Sequence, residues 1–123
     1  MILSIDFDGT ICELAYPAIG EIKKDAAFYI KKLHNDGHEI IINTCRSGKY
    51  EGDAVDFLFR HNIPYQYINS NMPHLIEQYG QDTRKISADI YIDDKCLMGL
   101  PETWEEIYNL IQIKQWKTKL TEN

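Results

Sequence analysis

The sequence predicts a single three-layer α/β domain, in which a parallel sheet is covered by helices on both faces. Short apolar runs of strand length alternate along the chain with longer amphipathic segments of helix length, the order of a parallel sheet with crossover helices. The strand runs are apolar throughout, as expected of strands that are buried on both faces. The chain has 123 residues, and an average domain has ~150. This length predicts one Rossmann-like domain that spans residues 1–123.

The first half of the chain contains two predicted strands and two predicted helices. A short apolar run at 2–5, ended by an acidic turn with a glycine, predicts the first strand. Apolar residues at helical spacing, beginning with Ile22, predict a helix over 20–36. The β-branched run at 39–43 predicts the second strand. A further helix is predicted over 52–61, because an asparagine and a proline follow it.

The second half predicts two more strands and a short helix before the last helix. A weaker strand is predicted over 65–68 and a clear one over 90–92, which again ends at acidic residues. A short helix over 73–79 is ended by a glycine. This alternation of strands and helices places each helix that connects two strands on one face of the sheet.

The last helix is predicted from about 103 to 119. It begins with Thr103-Trp104-Glu105-Glu106, a capping-box pattern. Trp116 and Leu120 lie off its inward stripe, and they either pack on the body of the domain or form a subunit contact. The side chains expected to face inward are Trp104, Ile107, Tyr108 and Ile111.

Composition excludes several classes of function. Lys and Arg number 13 and Asp and Glu number 19, so the net charge of −6 is unsuited to binding nucleic acid or anionic membranes. No apolar run approaches the ~20 residues of a membrane helix, and the first residues do not resemble a signal peptide.

An odd number of cysteines with no C-x-x-C pair predicts neither disulfides nor zinc, and we expect a cytoplasmic protein. The cysteines are Cys12, Cys45 and Cys96. The histidines have no metal-binding spacing and are expected at surface or turn positions: His34, His38, His61 and His74.

Polar side chains that can take part in catalysis or metal binding follow, or directly precede, the predicted strands. In open parallel sheets the ligand lies beyond the carboxyl ends of the strands, so these side chains are expected to converge there. Four converging carboxylates require a cation, and hard oxygen ligands favour Mg²⁺. The candidate residues are Asp6 and Asp8, Thr44 and Arg46, Lys85, and Asp93 and Asp94.

The spacing of Asp6 and Asp8 has a chemical consequence. Residues two apart at a strand end can face the same substrate. An ionised carboxylate can attack phosphorus when a cation neutralises the phosphoryl oxygens. A second carboxylate can protonate the leaving oxygen and later activate the water that hydrolyses the aspartyl phosphate.

These motifs resemble those of the haloacid dehalogenase superfamily of phosphohydrolases. Asp6-Phe7-Asp8-Gly9-Thr10-Ile11 is similar to its first motif, Thr44 to the second, Lys85 to the third and Asp93-Asp94 to the fourth. The resemblance implies a nucleophile at Asp6 and a general acid/base at Asp8, with Thr10 bracing the loop. It also implies phosphate contacts from Thr44 and Lys85, with Arg84 as an alternative cation to Lys85. Mg²⁺ would be bound by Asp6, the backbone carbonyl of Asp8, Asp93 and, directly or through water, Asp94.

The intervals between the motifs leave no room for a cap domain. Core elements occupy most of the chain between Asp8 and Thr44, and again between Thr44 and Lys85. The resemblance therefore implies a capless member with an open site, bordered by a short flap at 12–20. Such members act on large substrates or use a neighbouring subunit as a lid. The expected partners are a phosphorylated small molecule or macromolecule and a second subunit of a homo-oligomer.

Two local patterns leave alternatives open. Thr44-Cys45-Arg46 resembles a T-x-R variant of the second motif, in which Arg46 binds a substrate phosphate bidentately. Equally, Arg46 can form a salt bridge with one of the acids. Asn69-Ser70-Asn71 follows the third strand and favours turn chemistry over contact with substrate.

The function that the sequence favours is a Mg²⁺-dependent phosphatase that works through an aspartyl phosphate. A catalytically silent relative and a phosphotransferase with another acceptor are the alternatives. A phosphorelay receiver domain is disfavoured by motif order, because its acidic pair comes first and its lysine last. Here Asp6 and Asp8 come first and Lys85 precedes the acidic pair.

Overall fold

A computed structural model describes residues 1–122 and contains four strands and four helices. In chain order they are β1 (Ile2–Asp6), α1 (Ala26–Asn35), β2 (Glu39–Asn43), α2 (Gly48–Arg60), β3 (Tyr67–Ile68), α3 (Pro73–Tyr79), β4 (Ile90–Ile92) and α4 (Trp104–Glu122). Within residues 1–122, no helix combines the length and the apolar character needed to cross a membrane.

The strands form one parallel sheet in the order β3-β2-β1-β4. β1 lies in the middle, with Ile5 paired to Ile42 on one side and to Ile92 on the other. The predicted single Rossmann-like α/β domain is confirmed. Since all strands run the same way, the residues that follow β1, β2 and β4 emerge at one edge.

Helices cover both faces of the sheet, but unequally. Leu3 and Ile5 face a large core that α1, α2 and α4 complete. Ile41 faces the other way, into a smaller core with Leu75 of α3 and Ile86. The four side chains predicted to face inward from α4 are all buried. The long α4 is anchored at its start, where the Thr103 hydroxyl accepts the Glu106 N–H at 3.1 Å, as the capping pattern predicts.

The first helix begins later than the sequence predicts. Residues 20–25 were expected to be helical, but Ile22 forms an antiparallel bridge with Cys12. The Glu13 and Lys23 N–H groups donate to Glu21 and Ile11. This pairing folds the predicted flap back on itself and uses the backbone groups that a helix would need.

Smaller differences occur elsewhere. α2 begins at Gly48, one turn before the predicted 52, and β3 is limited to Tyr67–Ile68. His38 follows the turn at 36–37, in line with one of its two predicted positions, but it is buried, with 2% exposure. It lies between α1 and β2, where its ring Nδ1 contacts the Met1 amino group at 3.2 Å.

Candidate active site

The ends of β1 and β4 bring three carboxylates together. Asp6 is the last residue of β1, and Asp93 and Asp94 follow β4 directly. One carboxylate oxygen from each of the three lies within 4.8 Å of the others. Because β1 and β4 are neighbours in the sheet, this cluster follows from the topology and from the position of each acid just after a buried strand.

Thr10 holds the two loops of the cluster in place. Its hydroxyl donates to Asp6 Oδ2 at 3.0 Å and accepts the backbone N–H of Asp94 at 3.1 Å. Thr10 is fully buried, and its carbonyl accepts the indole N–H of Trp104 at 3.1 Å. The bracing role predicted for Thr10 is thus a pair of hydrogen bonds between the β1 and β4 loops.

Gly9 allows the close approach of Asp94. Its φ of +84° lies in the left-handed region that favours glycine, and a Cβ at this position would overlap the Asp94 carboxylate. The Lys23 ammonium donates to the Gly9 carbonyl at 2.6 Å and fixes the turn from the other side.

The electrostatics of the cluster are unfavourable without a cation. The pKa of Asp6 is raised to about 7, chiefly by burial and further by Asp93 and Asp94, while the Thr10 hydrogen bond acts in the opposite direction. Asp94 Oδ1 is buried and has no hydrogen-bond partner within residues 1–122. A buried carboxylate oxygen without a donor is costly, and a cation would remove that cost.

The donor set fits a hard divalent cation. Asp6, Asp93 and Asp94 offer oxygen atoms only, which suits Mg²⁺ and disfavours zinc or copper. The three side chains are half-buried, so part of the coordination sphere faces solvent and substrate. Mg²⁺ usually retains several waters in such sites.

Asp8 is held by Arg46 in a bidentate ion pair. Arg46 Nε donates to Asp8 Oδ2 at 2.7 Å, and Nη2 donates to Oδ1 at 2.8 Å. The Arg46 side chain is 1% exposed and that of Asp8 is 15% exposed. The pair therefore has the geometry of a strong charge-assisted interaction, away from most solvent screening.

The remaining donors of Arg46 bind the flap and α2. Nη1 donates to the carbonyls of Pro17 and Tyr50, and Nη2 to that of Ala18, at 2.9 to 3.4 Å. Together with the two bonds to Asp8, these bonds occupy all five guanidinium N–H groups. In this conformation Arg46 has no donor left for a substrate phosphate, so its predicted contact with substrate stays a prediction. The alternative salt bridge to an acid is correct.

Thr44 lies at the predicted edge, just after β2. Its hydroxyl accepts the Arg46 N–H at 3.1 Å, and its own N–H donates to Asn69 Oδ1 at 2.7 Å. Asn69 has a φ of +53°, as in a turn. The side chain of Thr44 is half-buried and faces the same end of the sheet as Asp6.

Asn71 organises the loop that precedes β4. It is 1% exposed, accepts the Ser87 N–H at 2.6 Å, and donates to Asp82 Oδ1 at 2.8 Å and to the Thr83 carbonyl at 3.1 Å. Hydrogen bonds from Asn71 are also the main reason why the pKa of Asp82 is lowered. The side chains of Asn69 and Asn71 thus hydrogen-bond to loop atoms, in line with the turn chemistry favoured for 69–71.

Lys85 is not brought into the acidic cluster. Its ammonium lies 5.4 Å from the centre of the Tyr91 ring, and within residues 1–122 it forms no ion pair with Asp6 or Asp93. Both Lys85 and its alternative Arg84 are exposed. A long, exposed lysine on a loop can change rotamer to meet an anion, so its predicted role stays a prediction.

Sequence patterns missed two supports of the site. Trp104 was expected only as a core residue of α4, yet its indole N–H also positions the Thr10 carbonyl. Lys23 was placed in a helix, yet it binds Gly9. Neither has a motif of its own, because each acts through a backbone carbonyl that any residue would present.

Fold and site together define a single Rossmann-like α/β domain with an acidic cluster at the carboxyl edge of its parallel sheet. The chain is similar to a solved structure, that of a conserved protein coded by a locus from Bacteroides thetaiotaomicron. The two share 33% identity over 93% of this chain and 91% of that chain, with a TM-score of 0.84. The chain belongs to the same family as that conserved protein. No family model and no curated protein matches the chain.

Proposed function

We propose that this protein is a Mg²⁺-dependent phosphatase that hydrolyses a phosphate monoester through an aspartyl phosphate. The observation that carries the proposal is the cluster of Asp6, Asp93 and Asp94, in which one Asp94 oxygen is buried and has no hydrogen-bond partner within residues 1–122. This arrangement lies beside the first of the motifs that resemble those of haloacid dehalogenase-like phosphohydrolases. The raised pKa of Asp6 adds support, since functional carboxylates cluster where burial and like charge perturb them.

In this proposal Asp6 is the nucleophile. Its carboxylate forms a bond to phosphorus while the bond to the leaving alcohol oxygen breaks, and that oxygen takes a proton from Asp8. Asp8 then accepts a proton from water as the water oxygen attacks phosphorus, which releases phosphate and restores Asp6. Mg²⁺ held by Asp6, Asp93 and Asp94 would offset the negative charge on the phosphoryl oxygens. Thr44 and a reoriented Lys85 would contact those same oxygens.

Asp8 must be released from Arg46 and take up a proton from solvent to serve as the acid. Both of its oxygens accept from the guanidinium, and the same guanidinium binds the flap at Pro17 and Ala18. We infer that substrate arrival moves the flap and frees one Asp8 oxygen. The open site is bordered by this flap and favours a bulky substrate that displaces it.

The test is hydrolysis of an aryl phosphate by the purified protein with Mg²⁺. We expect turnover in the wild type, none with Asp6→Asn, and wild-type turnover with Asp56→Asn, a matched change at an exposed acid of α2. Crystals soaked with Mg²⁺ and BeF₃⁻ should show density joined to Asp6. Undiminished turnover in Asp6→Asn, or fluoroberyllate on another residue, contradicts the nucleophile assignment.

A second candidate is a catalytically silent relative that binds phosphate and Mg²⁺ without turnover. The observation that favours it is the Asp8–Arg46 pair, because a carboxylate bound at both oxygens by a guanidinium is a poor proton donor. Phosphate-dependent Mg²⁺ binding, together with absent turnover across a panel of phosphate esters, would favour this candidate.

A further inference from the structure

The last helix, α4, has two apolar faces. One is the buried stripe that begins with Trp104 and packs on the core. At 3.6 residues per turn, a second stripe lies on the opposite side of the helix. Its residues are 49 to 63% exposed, and they are Leu110, Ile113, Trp116 and Leu120. A helix that only covers a core needs one apolar face, so the second face calls for a partner.

The second stripe extends onto the last turns of α4, which lie beyond its buried residues. Within residues 104–121 of α4, Ile111 is the last buried residue. At ~1.5 Å per residue the residues that follow it, 112–121, span roughly 15 Å, and Thr118 among them still lines a cleft with Met1 and Asp89. Ile113, Trp116 and Leu120 are spaced by three and then four residues, which is the spacing of a helix-pairing seam.

We propose that this outer face of α4 binds the same face of a second copy of this chain, with the two helices antiparallel around a two-fold axis near Ile113. Charge selects the orientation. Glu106 lies near one end of the face and Lys117 near the other, both exposed. Antiparallel pairing brings each glutamate to the end that holds the lysine of the other copy, whereas parallel pairing would place like charges together.

An apolar cleft beside the stripe supports the same arrangement. It has a volume of about 230 Å³ and lies between β4 and α4, where its walls include Ile90, Ile92 and Leu110. This is below the ~300 Å³ at which drug-sized ligand pockets begin, so a side chain suits it better than a metabolite. With the axis near Ile113, Trp116 of the second copy lies opposite Leu110, at the mouth of this cleft.

Sedimentation velocity and light scattering on the full chain test the proposal. We expect the wild type at about 50 μM to have twice the 14.4 kDa mass of one chain. Ile113→Glu and Trp116→Glu should each lower the dimer fraction at least tenfold while the circular dichroism spectrum stays unchanged. A monomeric wild type overturns the proposal in favour of a different partner protein. A dimer that survives both substitutions overturns the choice of this face.

Orientation is tested by charge reversal and by cross-linking. Glu106→Lys and Lys117→Glu should each weaken the dimer, and the double variant should restore it. With Cys45 and Cys96 replaced by serine, Ile113→Cys should form a disulfide-linked dimer on oxidation. Thr118→Cys, on the opposite side of the helix, should remain monomeric under the same denaturing conditions. Equal cross-linking at both positions, or no rescue by the double variant, contradicts antiparallel pairing.

Discussion

Gly9 is the residue at which the fold makes room for the acidic cluster. A Cβ at this position would overlap the Asp94 carboxylate, and the φ of +84° adds strain for any other residue. We predict that Gly9→Ala weakens Mg²⁺ binding at least tenfold, because Asp94 has to move away from Asp6. Isothermal titration calorimetry with Mg²⁺ measures this effect.

Gly80 provides the matched control for Gly9. Its φ of +79° is nearly the same, but within residues 1–122 a Cβ built there meets no atom within 4 Å other than those of its chain neighbours. Gly80→Ala should cost the same ~1–2 kcal/mol of backbone strain and leave Mg²⁺ affinity unchanged. Equal loss of Mg²⁺ affinity in both variants would mean that strain, and not the position of Asp94, controls the site.

Arg46 is the second residue whose replacement has a sharp expected outcome. It is the buried partner of Asp8 and binds three further carbonyls. Arg46→Met leaves that charge and the carbonyls of Pro17 and Ala18 without these donors, so we predict a loss of about 3–5 kcal/mol in the free energy of unfolding. Urea denaturation followed by circular dichroism measures it.

The exposed pair of Lys49 and Asp53 on α2 is the comparison. Its N–O distance is 3.7 Å, with side-chain exposures of 84% and 42%. Lys49→Met should change the free energy of unfolding by less than ~1 kcal/mol. A similar loss in Lys49→Met and Arg46→Met would show that the Asp8 pair is not a buried anchor.

The partner of Arg46 could not be predicted from the sequence alone. The T-x-R pattern specifies an arginine at the active edge, and both of its possible partners, a substrate phosphate or a carboxylate, suit a guanidinium. The salt bridge to Asp8 depends on the burial of Arg46 and on the carbonyls of Pro17, Ala18 and Tyr50, which only the folded chain brings together. Asp6 and Asp94 were predictable because each follows an apolar strand of its own.

At the scale of elements, the backbone within residues 20–25 pairs with the flap, although the apolar periodicity alone predicts a helix there. Ile22 fits the apolar stripe of α1, yet it bridges Cys12 in the flap. Asp25, with a φ of +62°, then separates the flap from α1. Helical spacing cannot detect a bridge between residues ten apart, whereas the strands and α3 were predictable from local patterns alone.

The loop before β4 depends on Asn71 as an element-scale anchor. We predict that Asn71→Ala costs about 2–3 kcal/mol, because the N–H of Ser87 and the side chain of Asp82 lose a buried partner. Amide hydrogen exchange in residues 82–87, the segment that carries Lys85, should accelerate more than exchange in β1 or β2. Ser70→Ala, which removes only bonds of 3.3 Å at the surface of the same loop, should have little effect on either measurement.

At the scale of the whole molecule, the half-buried Asp6 and the buried His38 make the free energy of unfolding depend on pH in opposite directions. The folded chain holds the Asp6 proton up to a pKa of about 7, whereas the unfolded chain releases it near ~3.9. Asp6 therefore stabilises the metal-free fold at low pH, and this contribution is lost as pH rises from about 4 through about 7. Burial lowers the pKa of His38, so the unfolded chain takes up that proton near ~6.5 and stability falls below that pH.

Comparison with Asp6→Asn separates the two contributions, because His38 is common to both proteins. In EDTA, we predict that the stability of the wild type relative to Asp6→Asn decreases between pH 4 and pH 7 and is level above about pH 8. Mg²⁺ at pH 8 should raise the melting temperature of the wild type and have much less effect on Asp6→Asn, because the ionised cluster binds the cation only in the folded state. At pH 5 the wild-type gain should shrink, since protons compete with Mg²⁺ for Asp6. Thermal melts across this pH range measure all three effects. A constant difference between the two proteins, or equal Mg²⁺ stabilisation of both, would show that Asp6 neither retains its proton nor contributes to a cation site.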